Sequence, residues 1–203
     1  MKRILILFAH PTLEKSRVHR RLVQALPALP GLTLNDLYEH YPDFDIDVRR
    51  EQGLLMEHDV ILMQHPFFWY STPPILKQWQ DLVLEHGWAY GSAGTALRGK
   101  DMLSVISAGG PMHAYHREGH NRFTVRELLA PVEQTARLCG MRYLPPWVVW
   151  GSHRLDEQDI AREAERFRDL VTRLHHGDLD IDAAAGLATL NDAHTSVPAE
   201  KRA

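Results

Sequence analysis

Residues 59–74, Asp-Val-Ile-Leu-Met-Gln-His-Pro-Phe-Phe-Trp-Tyr-Ser-Thr-Pro-Pro, hold a strand, a turn and a helix start in one short run. The first six are mostly apolar, with β-branched members and no alternation, the pattern of a parallel strand buried on both faces. Four consecutive aromatics follow, Phe67, Phe68, Trp69 and Tyr70, and they cannot all point into one core. Pro73 and Pro74 stop any strand and suit the start of a helix over residues 75–85, because the first turn leaves its N–H groups unpaired anyway. The aromatics therefore belong to a turn. In an open α/β sheet ligands bind outside the carboxyl ends of the strands. A flat ring system stacked on these side chains is one reading, and an aromatic plug between helix and sheet is the other.

Upstream, Ile4-Leu-Ile-Leu-Phe-Ala9 is an unbroken apolar run, a central parallel strand that ends at His10-Pro11. Ser16 is a good N-cap for a helix over residues 17–26, with Val18, Leu22, Val23 and Leu26 on one stripe. The start of that helix offers unpaired N–H groups and the positive end of a dipole, which suit a phosphate without glycines. Ser16 and Arg17 would add a hydroxyl and a cation, although Ser16 reads equally well as a cap alone. Residues 33–38 form a weaker second strand near a sheet edge. Asp43, Asp45 and Asp47 have calcium-loop spacing but lack the glycine and terminal glutamate of such loops, so a solvated loop is expected there. A short helix over 49–58 feeds the third strand.

Downstream, a glycine-rich turn carries Trp88 and Tyr90, and residues 100–107 make a fourth strand that breaks at Ala108-Gly-Gly-Pro111. Paired glycines let a backbone approach a ligand closely and point N–H groups at it. His113, His116 and His120 could suit zinc on a helix, but the surrounding glycines and proline argue for a loop, and no metal is expected. Residues 122–138 carry apolar residues at helical spacing, with a kink or a restart at Pro131. A fifth strand lies around 147–150 with two prolines at its entry, and a last helix covers 156–176. From Gly177 the sequence loses periodicity, so a domain of residues 1–176 with a mobile extension, 177–203, is expected.

At 203 residues and 44% hydrophobic, the chain can bury one sizeable core. Its formal net charge of -3 gives no footprint for nucleic acid. No apolar run nears the roughly 20 residues that span a bilayer, and the first residues are too short for a signal-peptide core, so a cytoplasmic protein is expected. Cys139 is the only cysteine and reads as core filler on a helix.

Five strands alternating with helices give an α/β fold, a doubly wound five-stranded parallel sheet of order 2-1-3-4-5 with helices on both faces. The loops after strands one, three and four then meet at the topological switch point, where FMN binds in this architecture. A phosphate site at Ser16, an aromatic shelf at Phe67 to Tyr70 and backbone donors at Gly109 and Gly110 are the parts FMN requires.

His10-Pro11 with Ser16, the block from His65 to Trp79, the turn His86-Gly-Trp-Ala-Tyr-Gly91 and the strand end Ser107-Ala-Gly-Gly110 resemble the NAD(P)H:quinone oxidoreductase family of the flavodoxin-like fold. With Tyr41-Pro-Asp-Phe-Asp-Ile-Asp47 and Leu144-Pro-Pro146 added, the chain is similar to the bacterial ancillary subunits of glutathione-gated potassium efflux systems. The likeness runs from Met1 to about Gly151. It implies FMN contacts at His10, at Ser16, Arg17, Val18 and His19, at Pro66, Phe67, Phe68, Trp69 and Tyr70, and at Ser107, Ala108, Gly109 and Gly110. It also implies ping-pong hydride transfer from NAD(P)H through FMN to a quinone. Tyr115 and His120 lie in the loop where members of the family steady the quinone oxygen and are the implied catalytic residues, while Pro111, His113, His116 and Arg117 depart from that pattern. A regulatory subunit docked on a potassium/proton antiporter, peripheral at the inner face of the membrane, is a second reading, and an azo- or nitroreductase a third. Trp69 and Trp88 on pocket-side loops point to a homodimer that completes its pockets across a two-fold axis.

Overall fold

Every residue of Ile4–Phe8 and Val60–Pro66 is buried, because helices cover both faces of these two central strands. The computed structural model describes residues 1–191. In chain order its elements are β1 (Ile4–Phe8), α1 (Arg17–Gln24), β2 (Leu32–Asp36), α2 (Leu37–His40), α3 (Val48–Glu57), β3 (Val60–Pro66), α4 (Pro74–Val83), β4 (Asp101–Ser107), α5 (Val125–Leu128), α6 (Ala130–Leu138), β5 (Arg142–Tyr143), β6 (Trp147–Val149), α7 (Glu157–His176) and α8 (Ile181–Ala184). The strands are parallel in the order β2-β1-β3-β4-β5, with β6 also on β4. The expected doubly wound sheet is present.

Alternate residues of each strand feed two separate cores. Leu5, Leu7, Ile61, Met63 and Ile106 face a layer that holds Leu37, Leu55, Trp79 and Ala136, side chains of α2, α3, α4 and α6. Ile6, Phe8, Leu62 and Val105 face Leu22 of α1 and Phe167 and Leu170 of α7. On the first side Glu51 is wholly buried, yet its carboxylate accepts from Asn35, Tyr41 and Trp79, with Arg50 completing the set. This satisfied network ties β2, α3 and α4 together and explains why Tyr41-Pro-Asp-Phe-Asp stays folded without regular structure. Asp43, Asp45 and Asp47 are exposed on a loop, as expected, and Asp47 also caps α3, accepting from the Arg50 N–H at 3.0 Å.

Two expectations need correction. The second strand stops at Asp36, whose side chain accepts from Tyr38 N–H at 3.1 Å and starts α2, so Tyr38 is helical. The fifth sheet position is filled by two short strands, β5 beside the start of β4 and β6 beside its end, because Pro145 and Pro146 interrupt the pairing. The restart suggested at Pro131 is present: the helical stretch is two helices, α5 and α6, with the break just before Pro131. The first part of the expected extension, 177–191, packs against the domain. It folds into α8, buries Leu190 completely, and lays the Asn191 amide against β6, accepting from Val148 N–H at 2.9 Å and donating to Val148 C=O at 3.0 Å. The remainder of the expected extension, 192–203, lies outside the described residues. Among the described residues no helix is long and apolar enough to cross a membrane.

Candidate active site

The ends of β1, β3 and β4 surround a cavity of about 580 Å³, within the range of roughly 300–1,000 Å³ usual for small-molecule sites. Its first wall comes from the loop after β1. His10 Nδ1 accepts the Thr12 N–H at 3.2 Å, so the proton of the neutral ring sits on Nε2. Ser16 caps α1 by accepting from His19 N–H at 3.1 Å, and no acidic side chain occupies the first turn. The first-turn N–H groups of Arg17 and Val18 have no partner within the helix.

The second wall is the aromatic turn. Ser71 N–H donates to Phe68 C=O at 2.9 Å, and the two residues between them, Trp69 and Tyr70, have φ of 49° and 61°. Two positive φ values at the centre of a two-residue turn define the type I′ geometry, in which asparagine and glycine are usual. Bulky residues there carry strain, a feature that clusters at functional sites. The turn sorts the aromatics: Phe67 enters the core, Phe68 and Tyr70 are half-exposed at the cavity, and Trp69 stands out with 90% of its surface exposed.

The third wall is Ser107 with Gly109 and Gly110. A Cβ on Gly109 would lie 2.9 Å from the His153 ring, and one on Gly110 would lie 3.1 Å from the Tyr115 ring. Only glycine lets this backbone line the cavity while His153 and Tyr115 stay where they are. The loop is braced from behind, with Gly151 N–H donating to Gly110 C=O and Ser152 N–H to Ala108 C=O, both at 3.0 Å.

Of the fourteen cofactor contacts expected from sequence, His10, Ser16, Arg17, Val18, Pro66, Phe67, Phe68, Trp69, Tyr70, Ser107, Gly109 and Gly110 line this cavity. Ala108 and His19 do not. Ala108 is fully buried and its N–H is spent on Val149 C=O, while His19 lies wholly buried beneath the floor. Tyr115 lines the cavity. His120 lines an adjoining cavity of about 640 Å³ that shares Tyr70, Gly110 and Tyr115 with the first. Burial raises the Tyr115 phenol above its ordinary value and keeps it protonated. Thr12, Lys15, Ser152 and His153 also line the main cavity and went unnoticed in the sequence. Ser152 and His153 follow β6, so the strand-end rule that located the other loops would have found them too. Trp88 is partly buried and packs on the core rather than standing at the rim. His113, His116 and His120 do not come together, and no three potential metal ligands do among the described residues.

Below the floor is a buried layer of polar side chains on β3 and α1. His19 Nε2 is 2.9 Å from Ser107 Oγ, and His19 Nδ1 is 3.5 Å from Gln64 Nε2. Burial, helped by neighbouring His10 and His65, pushes His19 well below its ordinary range, so the ring is neutral. His65 donates from Nδ1 to Pro66 C=O at 2.9 Å, and burial pushes its pKa down to about 4.

A doubly wound parallel sheet whose switch point holds a helix N-terminus, an aromatic shelf and a Gly-Gly loop defines the class: a protein of the flavodoxin type. The chain belongs to the family described as having the flavodoxin-like fold, whose family model matches residues 2–171. It is 46% identical over 165 residues to the glutathione-regulated potassium-efflux system ancillary protein KefG of Pectobacterium carotovorum subsp. carotovorum, covering 81% of this chain and 90% of that one. The general stress protein 14 of Treponema denticola, solved in complex with FMN, superposes with a TM-score of 0.81 at 38% identity, covering 85% of this chain and 99% of that one. An NADPH-quinone reductase from P. pentosaceus superposes with a TM-score of 0.75 at 32% identity, covering 83% and 96%.

Proposed function

We propose that the protein is an FMN-dependent NAD(P)H:quinone oxidoreductase in which nicotinamide and quinone use one cavity in turn. The observation that carries this reading is the convergence of three dissimilar walls on one cavity, each suited to a different part of FMN. The phosphate suits the Ser16 hydroxyl and the free N–H groups of Arg17 and Val18, in a first turn that carries no acidic side chain of its own. The ring suits Phe67, Phe68, Trp69 and Tyr70, and its polar edge suits the Gly109–Gly110 backbone, held bare because a Cβ would strike His153 or Tyr115. Bound FMN supplies the hydride chemistry. The chain's own contribution is to hold the ring, to offer donors where charge gathers, and to bind the second substrate beside Tyr115 and His120. The protonated Tyr115 hydroxyl and the Nε2–H of His10 are such donors. The FMN complex of the T. denticola relative and the NADPH-quinone reductase from P. pentosaceus support the same assignment.

Exposed Phe68, Trp69 and Tyr70 leave apolar surface at the cavity that a second copy of the chain would cover, making the protein a homodimer. The KefG relative supports an additional role as cytoplasmic ancillary subunit of a potassium/proton antiporter, peripheral at the inner face of the membrane when docked. Anaerobic addition of NADH or NADPH to FMN-loaded protein should bleach the flavin before any quinone is present, and a quinone should then restore the colour. A bleach that requires both substrates together would refute the alternating use of one cavity.

A further inference from the structure

We propose that His19 is a positioning residue for the flavin site: its Nε2–H occupies the Ser107 oxygen and leaves the Ser107 hydroxyl proton free to donate into the cavity. The inference rests on the functional reading above and deepens it. A histidine with no exposed surface must satisfy its ring inside the protein, and among the described residues the His19 ring hydrogen-bonds two polar atoms, Gln64 Nε2 and Ser107 Oγ. An amide nitrogen can only donate, so Nδ1 is the acceptor and the single proton of the neutral ring lies on Nε2. Ser107 then accepts from His19. Its hydroxyl has no other hydrogen bond among the described residues, and Ser107 lines the cavity.

The chain of hydrogen bonds therefore runs one way, from Gln64 at the third strand through His19 on the first helix to Ser107 at the end of the fourth strand. A buried chain of fixed direction presents a donor that costs no reorganisation when negative charge gathers on a ring beside it. Such a donor favours the reduced cofactor over the oxidised one. A hydrogen bond to a charged group is worth enough to set a binding ratio of about tenfold, which for a two-electron couple is about 30 mV of midpoint potential.

Two measurements test this. The first needs neither a variant nor FMN: ¹⁵N-histidine NMR of the apo-protein at pH 7 should show His19 as the Nε2–H tautomer. An Nδ1–H tautomer, which a reversed Gln64 amide would impose, or a doubly protonated ring overturns the proposal. The second is the midpoint potential of the FMN-loaded protein. Ser107→Ala and His19→Leu should each lower it by about 30 mV, the double variant should fall no further, and His19→Gln, whose amide can donate to Ser107, should recover part of the shift. An unchanged potential in Ser107→Ala, or an additive double variant, overturns the proposal. If the His19 variants do not fold, the tautomer and Ser107→Ala decide. If the wild-type protein takes up no FMN, the functional reading fails while the tautomer still decides the relay.

Discussion

Replacing Trp69 with alanine separates the two jobs an aromatic turn can do. The side chain is 90% exposed, so its loss removes almost no burial from the folded chain, and stability should stay within about 0.5 kcal/mol of wild type. Alanine at φ 49° carries a backbone strain similar to that of tryptophan, so the turn should persist. FMN affinity should change far more. Covering about 100 Å² of an indole face at roughly 25 cal/mol/Å² gives about 2.5 kcal/mol, and stacking adds about 0.5–1.5 kcal/mol. The expected loss is about 3–4 kcal/mol, a rise in Kd of roughly 150- to 1,000-fold. Ser16→Ala, which loses one hydrogen bond to a charged phosphate, should cost about 1.5–3 kcal/mol without moving the visible band. Fluorescence titration of FMN into both apo variants, with absorption spectra of the complexes, reads both effects. Wild-type affinity and an unshifted flavin band in Trp69→Ala would show that the exposed indole serves something other than the flavin.

Three further outcomes follow from the packing. Glu51→Gln should destabilise by about 2–3 kcal/mol in urea unfolding, less than the roughly 3–5 kcal/mol of a fully buried pair because the Arg50 side chain is 38% exposed. Asn191→Ala should cost about 1–2 kcal/mol and increase hydrogen exchange at the Val148 amide, which loses its side-chain partner on the open edge of β6. His65 is neutral in the folded protein with a pKa of about 4 against 6.5 unfolded, so the unfolded state binds the extra proton between those values. Stability should be complete above about pH 6.5 and fall by about 3 kcal/mol as the pH drops to about 4, with buried His19 adding loss in the same direction. A urea midpoint that did not move between pH 7 and pH 4.5 would contradict the neutral burial of both rings.

The central strands were legible because β1 and β3 are covered on both faces and so carry unbroken apolar runs. β2 was misjudged at its end because Tyr38 looks like a strand residue, and what stops the strand is a side-chain cap from Asp36, a contact no periodicity records. The fifth sheet position looked like one strand because Val148 and Val149 dominate it, while the two-residue β5 is too short to show a pattern. Leu190 and Asn191 gave no signal at all. Their packing depends on a surface made by α7 and the edge of β6, and a lone leucine before an asparagine looks the same in a tail as in a clasp. The position of the site was readable from the strand ends. Its interior was not, since two positive φ values in a row decide which aromatic faces the cavity. His19 sits beside Val18 on the buried stripe of its helix, which indicates burial but not what its ring touches.

Titrating FMN into the purified apo-protein bears most heavily on the reading of the site. Stoichiometric uptake with a dissociation constant below about 100 μM, equivalent to about -5.5 kcal/mol or better, with quenched flavin fluorescence and no comparable gain from FAD, is the expected result. Failure to bind either flavin at that concentration would contradict the enzyme assignment and leave the cavity without the cofactor its three walls were assigned to hold.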